Sequence, residues 1–192
     1  VQTYPISMLV NYDEDNKGNN DVFNFTAKAV QKDDREKVTI DEIVLYDIEK
    51  ATSDDVTEGQ ISIAYDEIEG PKTILDLRLA VANELDIDDI NKVVLFILFS
   101  GKDGSDFAML FDDEEVNQVL IENPKKNINY KILEPKRVIL PQKLIKKYQK
   151  YAKDHGMELN DQQIKDIYVK VDHDVNTFLA TIDYQSCRIS DE

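Results

Sequence analysis

The sequence predicts an α+β protein in which a β-rich N-terminal part precedes a helical C-terminal tail. Segments rich in Val, Ile, Phe, Tyr and Thr recur through the first two thirds of the chain, separated by polar turn residues. From Pro141 onward the apolar residues recur at helical spacing instead, and Gly156 is a natural helix stop. We therefore predict an acidic, β-rich body over residues 1–135 and a helical tail over residues 136–192.

The first third of the chain favours strands. Residues 4–12, 21–30 and 37–48 are rich in β-branched and aromatic side chains. Polar residues between these segments predict turns, and the polar stretch at 49–60 predicts a loop or short linker.

The middle third predicts strands and helices in alternation. After a strand at 61–68, Thr73 is the expected N-cap of a helix that carries Ile74, Leu77, Val81 and Leu85 on one face, a face that Leu75 and Leu79 are expected to widen. Residues 93–99 are apolar on both faces, which is typical of a strand in the middle of a sheet. The remaining predicted elements are a strand at 107–111, a short helix at 112–120 and a last strand at 129–133.

This order of elements resembles the ubiquitin-like β-grasp over residues 38–133. The closer likeness is to Ras-association modules and to the first lobe of FERM domains. It depends on element order and not on a fixed signature, so some other α+β domain stays the alternative. Proteins of the β-grasp group mostly present an edge strand or a sheet face to another protein. The resemblance therefore implies protein binding, although a fold alone does not supply a function.

Residues 172–183 have the ligand spacing of a calcium-binding loop. Oxygen-bearing side chains fall at loop positions 1, 3, 5 and 12, and an aliphatic residue falls at position 8. This spacing resembles an EF-hand that extends from residue 160 to the C-terminus. The resemblance implies a calcium site whose ligands are Asp172, Asp174, Asn176, Phe178 and Asp183.

The same run departs from the EF-hand pattern at three positions. Thr177 replaces the usual Gly at position 6, Ala180 offers no ligand at position 9, and Asp183 is shorter than the usual Glu at position 12. Three interpretations stay open: a weak calcium site, a decayed EF-hand kept for its helix-loop-helix shape, or an acidic turn that matches by chance. We expect EF-hand geometry with calcium bound weakly or not at all, and no other cofactor.

Composition limits the classes of function. The net charge is −16, and residues 1–135 alone carry 13 Lys or Arg against 30 Asp or Glu. Such a body repels nucleic acid and anionic membranes. The longest apolar run, at 93–99, is too short to span a bilayer. The single cysteine, Cys187, is typical of a reducing compartment, so we expect a cytoplasmic protein. The chain lacks an initiator Met, as in a piece of a longer protein.

The tail opens with a basic amphipathic helix. Its apolar face carries Leu144, Ile145, Tyr148, Tyr151 and Ala152, and lysines surround that face. We expect the apolar face to dock on the neighbouring helix and the lysines to be exposed. A calmodulin target or a membrane-surface helix is the alternative.

No nucleophile elbow, phosphate loop or cluster of His and Cys is present in the sequence. We therefore predict a non-enzymatic interaction or scaffold module whose partners are other proteins. The alternatives are a calcium sensor, a structural subunit of a cytoskeletal or viral assembly, and a hydrolase with a site assembled from the acids.

Overall fold

The structure is a computed structural model that describes residues 41–50, 58–101, 104–134, 136–137 and 139–190, with backbone alone at 189 and 190. Within these residues the fold is α+β, as the sequence predicts, and consists of one mixed sheet covered by helices. The strands predicted at 4–12 and 21–30 lie outside the described residues.

Ten regular elements follow one another along the described chain. The strands are β1 Glu42–Asp47, β2 Ile61–Ala64, β3 Val93–Gly101, β4 Gly104–Met109 and β5 Ile128–Ile132. The helices are α1 Ile74–Glu84, α2 Val116–Glu122, α3 Gln142–Asp154, α4 Asp161–Lys170 and α5 Val175–Ser190. Short 3-10 turns at Tyr65–Glu67 and Ile90–Lys92 lead out of β2 and into β3.

The sheet has the strand order β2-β1-β5-β3-β4. Strands β1 and β5 run parallel, and the other three pairs are antiparallel. The position of β3 between β5 and β4 confirms the sequence prediction of an inner strand. Val93, Leu95 and Ile97 belong to the cluster that includes α1, and Val94 and Phe96 belong to the cluster that includes α3 and α4.

Helix α1 begins where the sequence predicts, at an N-cap formed by Thr73. The Thr73 side chain accepts a hydrogen bond from the amide of Asp76, and the Asp76 carboxylate accepts one from the amide of Thr73. Ile74, Leu77 and Val81 are fully buried against the sheet. The reciprocal cap and this apolar stripe together fix where the helix starts and which face it turns to the core.

Helix α2 begins at Val116, so the predicted start at residue 112 is wrong. The segment before it crosses the N-terminus of α1, where the amide of Ile74 donates to the carbonyl of Glu114 at 2.7 Å. The amide of Leu75 donates to the carbonyl of Asp112 at 3.1 Å. These carbonyls satisfy free amides of α1 and leave the segment in a turn conformation.

A buried ion pair fastens α1 to the same segment. The Arg78 guanidinium donates to both carboxylate oxygens of Asp112, at 2.7 and 2.9 Å. It also donates to the carbonyls of Val93 and Ile90. Asp112 is thus held by Arg78, whereas the side chain of its neighbour Asp113 is exposed.

The helices α3, α4 and α5 pack on the opposite face of the sheet from α1. One buried cluster joins Val94, Phe96 and Met109 of the strands to side chains of these helices, among them Ile145, Tyr148, Ile164, Ile167, Phe178 and Ile182. The described parts of the predicted body and tail therefore share a continuous hydrophobic core. Tyr148 is buried and the α3 lysines are exposed, which confirms the predicted docking of α3.

Candidate functional site

The twelve-residue calcium loop predicted at 172–183 is wrong, because α5 begins at Val175 and continues through Asp183. Only four residues separate α4 from α5, and the chain reverses through left-handed conformations at Asp172 and His173. Asp174 then starts α5: its carboxylate accepts from the amide of Thr177 at 3.1 Å, and its carbonyl accepts from the amide of Phe178. This is the role of an N-cap.

The five predicted ligands lie in different surroundings. Phe178 is buried, with its ring centroid 4.5 Å from that of Tyr148. Asn176 is exposed in the first turn of α5. Asp183 accepts from the Tyr151 hydroxyl at 2.7 Å and lies 3.2 Å from His155 Nε2. The described residues contain no group of three or more His, Cys, Asp or Glu side chains suited to a metal ion. The twelve-residue loop geometry on which the calcium prediction depended is therefore absent from residues 172–183. Calcium binding itself stays a prediction.

Asp172, the first predicted ligand, pairs with two lysines, one in β5 and one just after it. Its carboxylate lies 2.9 Å from Lys131 Nζ and 3.4 Å from Lys136 Nζ. Partial burial acts to raise the pKa of Asp172, but the two lysines outweigh it and lower that pKa below its usual value. Asp172 thus joins the α4–α5 turn to β5 through its contact with Lys131.

A buried polar cluster joins the C-terminal end of α5 to α2. The Glu114 carboxylate accepts from the amide of Phe111 and from Gln185 Nε2, and it lies 3.2 Å from Arg188. Burial raises the pKa of Glu114, while Arg188, the Phe111 amide and Gln185 lower it, and burial prevails. Arg188 also faces Glu122 at 3.5 Å. The cluster thus brings two carboxylates to one guanidinium and joins α5 to α2 and to the segment before it.

The sheet has two outer strands, β2 and β4, and helix α5 covers the edge of β4. The amide of Met109 donates to Thr181 Oγ1 at 2.9 Å, and Gln185 Nε2 donates to the carbonyl of Met109 at 3.3 Å. Both α5 side chains are fully buried. They satisfy strand groups that would otherwise form a template for another chain.

The β2 edge differs, because among the described residues β2 pairs with β1 alone. Ile63 points into the core and Ser62 is exposed, as expected from the alternation of a strand that covers a core. The exposed acids near this edge are Asp41, Glu42, Glu58, Asp66, Glu67 and Glu69. We call this strand with these acids the acidic edge. It is the strongest candidate for a functional site.

The residue pairs that form the polar cluster and the cover of β4 could not be predicted from local sequence patterns. Thr181 and Met109 are 72 residues apart, and Gln185 and Glu114 are 71 apart, so no local spacing connects them. A polar Thr and Gln on the apolar side of a helix were the only sequence signal of a partner in the core.

Searches of protein-family models, of curated proteins and of solved structures give no match to this chain. No helix in the described part of the chain combines the length and apolar character that crossing a membrane requires.

Proposed function

We propose that this protein is a non-enzymatic interaction module that binds an extended, basic segment of a partner protein along the acidic edge. The observation that carries the proposal is the contrast between the two outer strands. Helix α5 packs on β4 and satisfies the amide and carbonyl of its last residue, Met109, through Thr181 and Gln185, whereas β2 has no second neighbour among the described residues. Addition of a strand to such an edge is a common mode of peptide recognition.

Lys72 donates to the carbonyls of Tyr65 and Ile68 just after β2, but the acids around the strand outnumber it and support a basic partner. Asp66 and Glu67 follow the strand directly, and Glu42 lies opposite Ala64 in the register of β1 and β2. Acids at an edge also oppose pairing between two copies of the same edge, since like charges would meet. The edge is therefore selective for a partner that brings Lys or Arg.

The resemblance to Ras-association and FERM first-lobe modules is part of this proposal. The strand order β2-β1-β5-β3-β4, its parallel inner pair β1 and β5, and the placement of α1 between β2 and β3 support it. Modules of that kind act mainly through an edge or a sheet face, so the resemblance and the acidic edge point to the same class of function.

The test is a selection of binders from a displayed library of random peptides, followed by hydrogen exchange on the full chain. We expect the selected peptides to be basic with alternating apolar residues, and to slow exchange of the outward amides in Ile61–Ala64. The rival occupant of the edge is the chain's own segment before residue 41. If it pairs with β2, those amides are already protected in the free protein and the proposal is wrong.

A charge reversal provides the matched comparison. Asp66→Lys combined with Glu67→Lys should weaken binding of the selected peptides by about tenfold, because rim charges govern encounter and complementarity. Glu84→Lys combined with Asp88→Lys makes the same change in net charge at exposed positions away from β2 and should leave binding unaltered. Equal losses in the two variants would mean that net charge, and not this edge, attracts the peptides.

A further inference from the structure

A second surface on the described chain combines apolar and basic groups. A groove of about 240 Å³ between α3 and α5 is lined mostly by apolar atoms. Its walls are formed by Lys147, Tyr148, Lys150, Tyr151, Asp154, Val175 and Leu179, so that two lysines and one acid line it, and we call it the lysine groove. From this geometry we infer that the lysine groove docks an acidic amphipathic helix of a partner protein.

The apolar part of the groove can hold anchoring side chains. Tyr148 is buried at its floor, and Tyr151 and Leu179 are half-buried in its walls. Val175 is 45% exposed at the start of α5, so its side chain is open to contact. The volume lies below the roughly 300–1,000 Å³ typical of small-molecule pockets. The groove therefore suits a few inserted side chains of a partner better than a whole ligand.

The charges around the groove determine what kind of partner fits. Helix α3 carries five exposed lysines and one acid, Asp154, in a chain whose net charge is −16. Lys147 and Lys150 are adjacent on the helix surface at a spacing of three residues and stand directly on the groove wall. The positive end of the α5 dipole lies next to Val175, although the Asp174 carboxylate partly compensates it. A helix that inserts apolar anchors and carries acids on its flanks matches both features.

The inference concerns a different surface from the acidic edge and does not depend on it. The lysine groove lies between two helices on the side of the sheet opposite α1, whereas the acidic edge is an outer strand. Two binding surfaces of opposite charge would let one copy of the protein hold two partners at once, which is what a scaffold requires.

The experiment uses the full chain and a fluorescein-labelled synthetic peptide as probe. The peptide is helical, with leucines at i, i+4 and i+7 and glutamates on both flanks. We expect saturable binding, measured by fluorescence anisotropy, that weakens as salt is raised. Lys147→Glu combined with Lys150→Glu should weaken it by about tenfold or more, since two attractive contacts become repulsive.

The matched control is Lys146→Glu combined with Lys153→Glu, which makes the same change in charge on the same helix at exposed positions that do not line the groove. We expect it to retain binding within about threefold, the effect of longer-range charge alone. Val175→Ser should weaken binding without loss of helix content, because Val175 is exposed in the free protein. Equal losses in both charge variants, or no effect of Val175→Ser, would overturn the inference.

Three other occupants give distinct results. Zero-length cross-links within a monomer, between Lys147 or Lys150 and acids at residues 1–40, would show that the chain fills its own groove. A dimer in sedimentation that Lys147→Glu dissociates would assign the groove to a second copy. Binding to anionic vesicles with no binding of the peptide would assign it to a lipid surface. Each of these outcomes, and the absence of peptide binding, contradicts the inference.

Discussion

The acids at the end of the chain show how residue type can predict chemistry without predicting its setting. Asp172, Asp174 and Asp183 have calcium-ligand spacing, yet each has a protein partner in the structure. Asp172 binds Lys131 and Lys136, and Asp174 caps the first turn of α5. Asp183 contacts Tyr151 of α3 and His155, which directly follows that helix. Spacing along the chain places ligands around an ion only if the chain is a loop, and residues 175–183 are helical instead. Lys131 and Tyr151 lie far in the sequence from the acids that they contact, so no local pattern predicts these contacts.

The first prediction concerns the cap of α5. Asp174→Ala should lower the free energy of unfolding by about 0.5–2 kcal/mol, because the amide of Thr177 loses its acceptor. Asp174→Asn keeps a capping oxygen and should cost much less. Urea denaturation with and without added calcium measures both variants. A loss for Asp174→Ala that appears only in the presence of calcium would restore the calcium-site interpretation.

The second prediction concerns Glu114, whose pKa is raised above 4.5 chiefly by burial. The folded protein therefore holds this proton at pH values where the unfolded chain has lost it. Stability contributed by this group is present below the unfolded pKa and is lost as the pH rises through the folded pKa. Glu114→Gln removes the titration, so the difference in unfolding free energy between wild type and variant should vary with pH in that window.

Urea denaturation over a series of pH values measures that difference. A difference between wild type and Glu114→Gln that stays constant with pH would mean that Glu114 titrates normally and that burial does not dominate its surroundings.

At the scale of elements, the sequence was informative where local patterns and tertiary packing agree. The Thr73 cap and the apolar stripe of α1 placed that helix, and the two-sided apolar run placed β3 inside the sheet. The starts of α2 and of α5 were predicted wrongly. In both places a contact from a distant element decides the conformation: the N-terminus of α1 holds residues 112–115, and the edge of β4 holds α5.

The third prediction uses two leucines of α1 that differ in burial. Leu77 is fully buried, and Leu77→Ala should cost about 2–5 kcal/mol through lost burial and the cavity that remains. Leu79 lies on the same helix and is 45% exposed, so Leu79→Ala should change stability by about 0.5 kcal/mol or less. Chemical denaturation measures both. Equal losses of stability in the two variants would mean that the face of α1 that carries Leu77 does not pack on the sheet.

At the scale of the whole molecule, the central sheet is covered on both faces. Helix α1 covers one face, and α3, α4 and α5 cover the other. Helix α5 contributes to both clusters, through Phe178 and Ile182 on one side and through Ala180 and Tyr184 on the other, because it lies along the edge of β4. The charge and composition of the sequence suggested a division at residue 135, but they carry no information about which surfaces meet. A shared core across that division has a consequence for unfolding.

The last prediction tests whether body and tail unfold together. Ile164 of α4 is fully buried in the cluster that also holds Val94 and Phe96 of β3. Ile164→Ala should lower the free energy of unfolding by about 2–5 kcal/mol. If sheet and tail helices form one cooperative unit, this loss should appear equally in the sheet and in the helical tail. Native-state hydrogen exchange measures it: protection of the slowest amides in β3 and in α4 should fall by the same free energy. Val175→Ala, at an exposed position of α5, should leave both unchanged. If protection falls in α4 while β3 keeps its own, the helical tail is a separate cooperative unit that docks on the sheet, as the division at residue 135 implies.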